Sequence, residues 1–172
     1  MEDQISKGTA KLKAWTVQVR KGEAENLLRW VSETARETGS EALVVREDLV
    51  FGSDHMRSAL YHAKKAIDEG RNSSDSVAME TLLYSSGERQ LSSAIKKMSV
   101  NKETESVAVV LLSGAGFKPG EGWNEMPRIP PSVDGAKLTQ FGISEREVET
   151  VAPERAIELV MERVAAVDIQ KK

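Results

Sequence analysis

The segment 85–90, which reads SSGERQ, is the part of this sequence best suited to bind a charged group. It follows an apolar run at 78–84 that is typical of a strand, and it leads into a helical pattern at 88–98. A strand that ends in small residues where a helix begins leaves backbone N–H groups free at the positive end of the helix dipole. Such a corner predicts binding of a phosphate or a carboxylate.

Basic residues near this corner suggest what the ligand would be. Arg89 lies in the first turn of the predicted helix, where a positive charge is unfavourable to the helix dipole, so it could serve an external group. Other basic and aromatic residues could share its surface: Arg57, Tyr61, Lys64, Arg71, Tyr84, Lys96 and Lys97. This mixture is used to bind single-stranded nucleic-acid ends. An ordinary solvated helix surface is the alternative, and composition alone favours it.

A second candidate for phosphate binding is the glycine-rich segment LLSGAGFKPGEG at 111–122. A Walker loop requires Ser or Thr after its Gly-Lys pair, whereas Pro119 follows Lys118 here. A dinucleotide-binding loop requires a third glycine where Pro119 stands, and a helix after it. The segment therefore predicts a long Gly- and Pro-rich loop over 114–142 and no nucleotide site.

Catalytic and metal-binding chemistry has little support. The chain has no cysteine, which excludes thiol nucleophiles, disulfides and cysteine-ligated zinc. His55 and His62 lie two helical turns apart, too far to share a metal ion, and neither has a recognisable triad setting. Carboxylate pairs such as Glu145 and Glu147 are explained by helix capping. We predict no catalytic residue, metal site, cofactor or small-molecule substrate, and no enzymatic activity.

Length and composition predict one domain over 1–172, with a flexible N-terminal part at 1–13. The formal net charge of -3 gives no overall attraction to nucleic acid, although a local basic face is compatible with it. The N-terminus is polar and no apolar run is long enough to span a bilayer. We expect a soluble, cytoplasmic protein with no membrane partner.

Hydrophobic periodicity defines the elements that would position these residues. Strands are predicted at 15–20, 41–45, 78–84 and 107–112, the last of them central because it is continuously apolar. Helices are predicted at 24–38, from 53 or 54 to near 70, at 88–98, near 144–151 and from 153 onward. The fold class is α/β (mixed α+β), with a central, mixed or largely antiparallel sheet of about four to five strands packed by helices.

The run METLLYSSGERQLSSAIKKMSV at 79–100 resembles the small kinase-binding subunit of the KEOPS complex, also called EKC, which is the TPRKB or PRPK-binding protein family. The resemblance is sharpest over 56–112. The matching positions are Glu80, Leu82, Leu83, Tyr84, Gly87, Arg89, Gln90, Leu91, Ala94 and Ile95.

This resemblance implies a non-catalytic subunit that binds the kinase-like ATPase of KEOPS, regulates it and helps recruit tRNA. The complex makes threonylcarbamoyladenosine at tRNA position 37, and recruitment would include the single-stranded 3' CCA end. The implied tRNA-binding residues are Lys64, Arg71, Tyr84, Ser86, Gly87, Arg89 and Gln90. Gly87 would permit close approach, Arg89 and Lys64 would meet phosphates, and Tyr84 and Gln90 would contact sugar or base.

The sequence does not place the kinase-binding surface, for which apolar surface on the final helices is one candidate. Two other functions stay open at this point. One is a small-molecule-binding or enzymatic domain that uses the glycine-rich loop, and the other is a free-standing RNA-binding module.

Overall fold

The computed structural model describes residues 12–171, and its core is one antiparallel sheet of four strands. The strands are β1 (Lys13–Gln18), β2 (Glu41–Arg46), β3 (Ser106–Ser113) and β4 (Asn124–Glu125). Their order is β2-β3-β1-β4, and all pairs are antiparallel. The predicted flexible segment at 1–13 lies mostly outside the described residues, and Lys13 already belongs to β1.

Seven α-helices lie among the described residues and cover both faces of the sheet. They are α1 (Ala24–Thr38), α2 (Ser53–Asp68), α3 (Val77–Ser86), α4 (Leu91–Met98), α5 (Gly135–Phe141), α6 (Glu145–Glu149) and α7 (Ala156–Gln170). Helix α1 packs on one face, and α2, α3, α4, α5 and α7 build the core on the other. The mixed α+β class predicted from the sequence is confirmed.

Strand β3 lies inside the sheet, as its continuous apolar run predicts. Val107, Val109 and Leu111 face the core that includes α1. Ala108 and Val110 face the larger core on the opposite side. Both faces of the strand are therefore covered, which explains why its sequence does not alternate.

All three tryptophans of the chain gather on the α1 face. Trp15 of β1 lies 5.8 Å, between ring centroids, from Trp123 in the loop that follows β3. Trp30 of α1 meets Trp123 edge to face at 5.6 Å and is 43% exposed. Phe117 completes the cluster. These rings dock the glycine-rich loop onto the sheet.

The strand predicted at 78–84 is wrong, because these residues belong to helix α3. Every residue from 80 to 86 is buried, so neither the alternation of a strand nor the stripe of a surface helix is visible. The helix has its own boundary signals. Ser76 Oγ accepts a hydrogen bond from the Met79 N–H at the start, and Gly87 ends the helix in the left-handed conformation.

The predicted loop at 114–142 contains more structure than expected. It holds the two-residue strand β4 and helix α5, which begins after Asp134 caps the Ala136 N–H. The loop also caps α2, since the Ser53 N–H donates to the Pro127 carbonyl at 2.9 Å. Gly52 makes this contact possible because a Cβ there would lie 2.4 Å from the Arg128 carbonyl oxygen.

The C-terminal region largely follows the sequence pattern. The capping box between Ser144 and Glu147 is present, and Pro153 begins a 3-10 turn that leads into α7. Val160 and Val164 of α7 are buried. None of the described helices is long and apolar enough to cross a membrane.

Candidate functional site

The corner at 85–90 joins two helices, so the strand-to-helix corner predicted from the sequence is wrong. Helix α3 ends at Gly87, whose N–H donates back to the Tyr84 carbonyl at 3.2 Å. Helix α4 begins only at Leu91, three residues later than predicted. The backbone around Ser86 is therefore the negative end of a helix, which favours a cation and not a phosphate.

Lys97 supplies that cation. Its ammonium donates to the Ser86 carbonyl at 2.7 Å, to the Phe141 carbonyl and to Glu88 Oε1 at 3.2 Å. It also lies 4.0 Å from the centroid of the Phe141 ring. Burial lowers the pKa of Lys97, and Glu88 opposes that shift. One lysine thus serves the C-terminal ends of α3 and α5.

The carboxylate of Asp168, in the last turn of α7, is the centre of a polar cluster. His62 Nδ1 lies 3.0 Å from Asp168 Oδ2, and Arg71 Nη1 donates to Oδ1 at 3.2 Å. The Tyr84 hydroxyl donates to the same Oδ1. Burial alone would raise the pKa of Asp168, but the hydrogen bonds from Tyr84, Arg71 and His62 hold it below its usual value.

Both arginines in the predicted tRNA-binding set, Arg71 and Arg89, form hydrogen bonds at this end of α7. Arg71 donates to Glu69 Oε2 through Nε at 2.8 Å and through Nη2 at 2.6 Å. Hydrogen bonds to Glu69 and then Asp168 raise the pKa of Arg71 above its already high value. The Arg89 Nε donates to the Gln170 carbonyl at 3.3 Å. Both side chains are exposed.

A buried ion pair fixes the end of the described chain beside this cluster. Glu80 is fully buried, and its Oε1 accepts hydrogen bonds from the backbone N–H groups of Ser73 and Ser74. Its Oε2 lies 3.2 Å from the Lys171 ammonium. Sequence reasoning missed this pair because the two residues are 91 positions apart.

The structure distributes the seven predicted tRNA-binding residues over different environments. Arg71, Arg89 and Gln90 are exposed, and Lys64 and Gly87 are half-buried. Tyr84 and Ser86 are fully buried. Ser86 Oγ donates to the Leu83 carbonyl and accepts from the Glu88 N–H, so it stabilises the turn. In this conformation the side chains of Tyr84 and Ser86 are buried and bond within the protein, and their contact with tRNA stays a prediction.

Helix α4 follows its predicted packing in part. Ala94 and Met98 are buried as expected, and Leu91 is half-buried. Ile95 is 39% exposed, contrary to the prediction that it packs inside. The exposed side of α4 therefore continues the surface that Arg89 and Gln90 begin.

The glycine-rich loop owes its glycines to close packing. A Cβ on Gly114, whose φ is 104°, would lie 2.4 Å from Ser40 Oγ. A Cβ on Gly120 would lie 2.8 Å from the Trp123 indole nitrogen. No group of three or more potential metal ligands occurs within residues 12–171. The close contacts at Gly114 and Gly120 explain why glycine stands there, and no bound nucleotide is needed to explain it.

The fold defines an α+β protein with a single sheet. The site defines its other feature, which is a set of charged side chains that pair with each other around the last turn of α7. The chain belongs to the family described as kinase binding protein CGI-121, whose family model matches residues 23–151. The resemblance to the kinase-binding TPRKB family is thereby confirmed. No curated protein matches the chain significantly.

Proposed function

We propose that this protein is a non-catalytic, cytoplasmic subunit of the KEOPS complex. It binds the kinase-like ATPase subunit, regulates that subunit and helps recruit tRNA for threonylcarbamoyladenosine formation at position 37. The observation that carries the proposal is the match to a kinase-binding family over residues 23–151. The tRNA role rests on the resemblance around 79–100 and on the cationic residues that surround the end of α7.

For tRNA, the proposed contact surface consists of Lys64, Arg71, Gly87, Arg89 and Gln90. Arg71 and Arg89 are exposed and lie beside the same helical turn, at Asp168 and Gln170. Guanidinium groups held in place in this way suit phosphate contacts, which position a nucleic acid without reading its sequence. Gln90 supplies amide groups for sugar or base.

For the kinase-like partner, the proposed surface includes the apolar side of the final helix. Ile169 in its last turn is 89% exposed, the highest value among the exposed large hydrophobic residues of the described chain. Ile169 is therefore the position at which this proposed surface can be tested.

The tRNA role is tested by binding of tRNA with and without its CCA end at fixed salt. Arg89→Glu should weaken binding at least about fivefold, since it replaces a phosphate contact by repulsion. Arg29→Glu is the matched control, because Arg29 is exposed on α1, the helix on the opposite face of the sheet. Equal effects of the two changes would contradict the site, and equal binding without CCA would contradict end recognition.

The partner role is tested by co-expression with the kinase-like ATPase. The wild-type chain should co-purify with it, and Ile169→Ala should reduce the recovered complex while leaving tRNA binding intact, because it removes apolar surface without adding charge beside Arg71 and Arg89. Tight tRNA binding without any association with the ATPase would instead indicate a free-standing RNA-binding module.

A further inference from the structure

The last turn of α7 is held in place by polar contacts. Val167 is the last fully buried residue of the helix, and Ile169 is 89% exposed. Beyond Val167 the helix end is held by the Asp168 carboxylate, the Gln170 carbonyl and the Lys171 ammonium. Asp168 and Gln170 make their contacts at a partly exposed surface, where water and ions can replace them, and the buried Glu80–Lys171 pair is the contact that opposes opening of the turn.

Three donors from separate parts of the chain converge on Asp168. His62 belongs to α2, Arg71 to the connector after it, and Tyr84 to α3. The rings of His62 and Tyr84 stack with their planes 16° apart and their centroids 5.6 Å apart. His62 and Tyr84 are therefore positioned by each other and Arg71 by its hydrogen bonds to Glu69, in each case without help from α7.

A guanidinium, a phenol and an imidazole around one oxygen-rich anion form a set that suits a phosphate group equally well. We propose that His62, Arg71 and Tyr84 form a phosphate-binding site that the Asp168 carboxylate occupies in this structure. A phosphate group takes the site when the last turn of α7 opens. In its RNA form this inference rests on the proposed function, with a tRNA phosphate as the ligand.

This arrangement gives the burial of Tyr84 a physical reason. The Tyr84 hydroxyl bonds to Asp168 and its ring centroid lies 5.0 Å from the Lys171 ammonium, so the end of α7 must move before the hydroxyl can meet another anion. Asp168 then acts as an internal competitor that lowers the affinity of the site for anions. Removing its charge while keeping its shape should raise that affinity.

Inorganic phosphate tests the site without RNA. The melting temperature is measured for wild type, Asp168→Asn and Asp68→Asn, with chloride at matched ionic strength as the reference. Asp68 is an exposed carboxylate at the end of α2, so its removal controls for net charge. At about ten times its Kd, phosphate should raise the melting temperature of Asp168→Asn by about 3–6 °C more than that of Asp68→Asn. Adding Arg71→Gln to Asp168→Asn should abolish this gain, whereas equal shifts in the two single variants would overturn the site.

RNA is tested in a separate arm. An RNA with a CCA end should bind Asp168→Asn about threefold to tenfold more tightly than Asp68→Asn. In the wild type, which needs no variant to fold, RNA should speed hydrogen exchange of the Lys171 N–H, which bonds to the Val167 carbonyl at 2.9 Å. Slower hydrogen exchange of this N–H would contradict the proposed opening of the last turn of α7. A phosphate response without any RNA binding would support the site and overturn the proposed tRNA function instead.

Discussion

His55 is buried in the helical core and links α2 to the end of α3. The Phe51 backbone N–H donates to its Nδ1 at 3.1 Å, so Nδ1 carries no hydrogen. The Nε2–H therefore donates to the Ser85 carbonyl at 2.9 Å. Burial lowers the pKa of His55 to about 4, because a charged imidazole would be desolvated and would lose the bond from Phe51.

A loss of stability on mild acidification follows from this histidine. Between pH 6.5 and about 4 the unfolded chain protonates His55 and the folded chain does not, so the free energy of unfolding falls with falling pH. The full effect is roughly 3 kcal/mol. In urea unfolding at several pH values, the stability difference between wild type and His55→Gln should shrink from pH 7.5 to 4. The carboxylates titrate in both proteins, so their effect cancels in that difference. A stability difference that stayed constant with pH would contradict the lowered pKa of His55.

Lys97 should matter more for stability than its neighbour Lys96. Lys97→Met removes the donor that serves two helix ends and should lower the free energy of unfolding by about 1–3 kcal/mol. Lys96→Met is the matched control, since Lys96 is exposed, and it should change stability by less than about 0.5 kcal/mol. Chemical denaturation of both variants measures the effect, and similar losses would show that the carbonyls do not depend on Lys97.

The Asp168 cluster shows why individual contacts are harder to predict than residue types. The sequence indicated the importance of Arg71 and Tyr84 through their neighbours and the resemblance. It gave no sign of Asp168, which lies 84 positions from Tyr84 and 106 from His62. Only the packing of α7 beside α2 and α3 brings these side chains together. The role of a side chain in such a cluster depends on tertiary packing that no local pattern carries.

Helix α3 shows the same limit for a whole element. Helices α1 and α2 were predicted well because one face of each is polar, which reveals a helical period. Helix α3 is enclosed by α2, α4 and α7, so its apolar run has no polar side to reveal its period. The Ser76 cap and the Gly87 stop were the available signals that it is a helix.

The buried pair between Glu80 and Lys171 should fasten α3 to the end of α7. Lys171→Met leaves one oxygen of a buried carboxylate without its partner and should cost about 3 kcal/mol of stability. Adding Glu80→Gln removes the unpaired charge and should restore part of that loss. Denaturant unfolding of the single and double variants checks this. If the stability losses of the two single variants add up to that of the double variant, the two residues are not coupled.

For the molecule as a whole, a central sheet packed by helices was accessible from the sequence because β1, β2 and β3 have clear apolar patterns, whereas the order and direction of the strands were not. The structure within the loop between β3 and α6 was not accessible either, since the aromatic residues that dock this loop act through contacts distant in sequence. The net charge of the chain likewise does not predict the local charge of a surface. The chain has a net charge of -3, yet cationic residues gather around the end of α7.

Binding of tRNA should therefore depend only moderately on salt. Three cationic contacts to a single strand, from Lys64, Arg71 and Arg89, predict a slope of roughly -2 in a plot of log K against log salt. Arg89→Gln should reduce the slope by about 0.7, and Arg29→Gln should leave it unchanged. Fluorescence anisotropy at several salt concentrations measures it. A slope near about -5 would indicate a larger footprint than this surface.

All three tryptophans lie on the α1 face, so the intrinsic tryptophan fluorescence of the protein reports on that face of the sheet. Its intrinsic emission reports on Trp15, Trp30 and Trp123, and so on the docking of the glycine-rich loop. Events at the end of α7, on the other side of the sheet, are far from any indole. Anion or RNA binding there should be nearly silent in tryptophan fluorescence. The substitution Tyr61→Trp, at a ring that contacts His62, would give that side its own fluorescence signal.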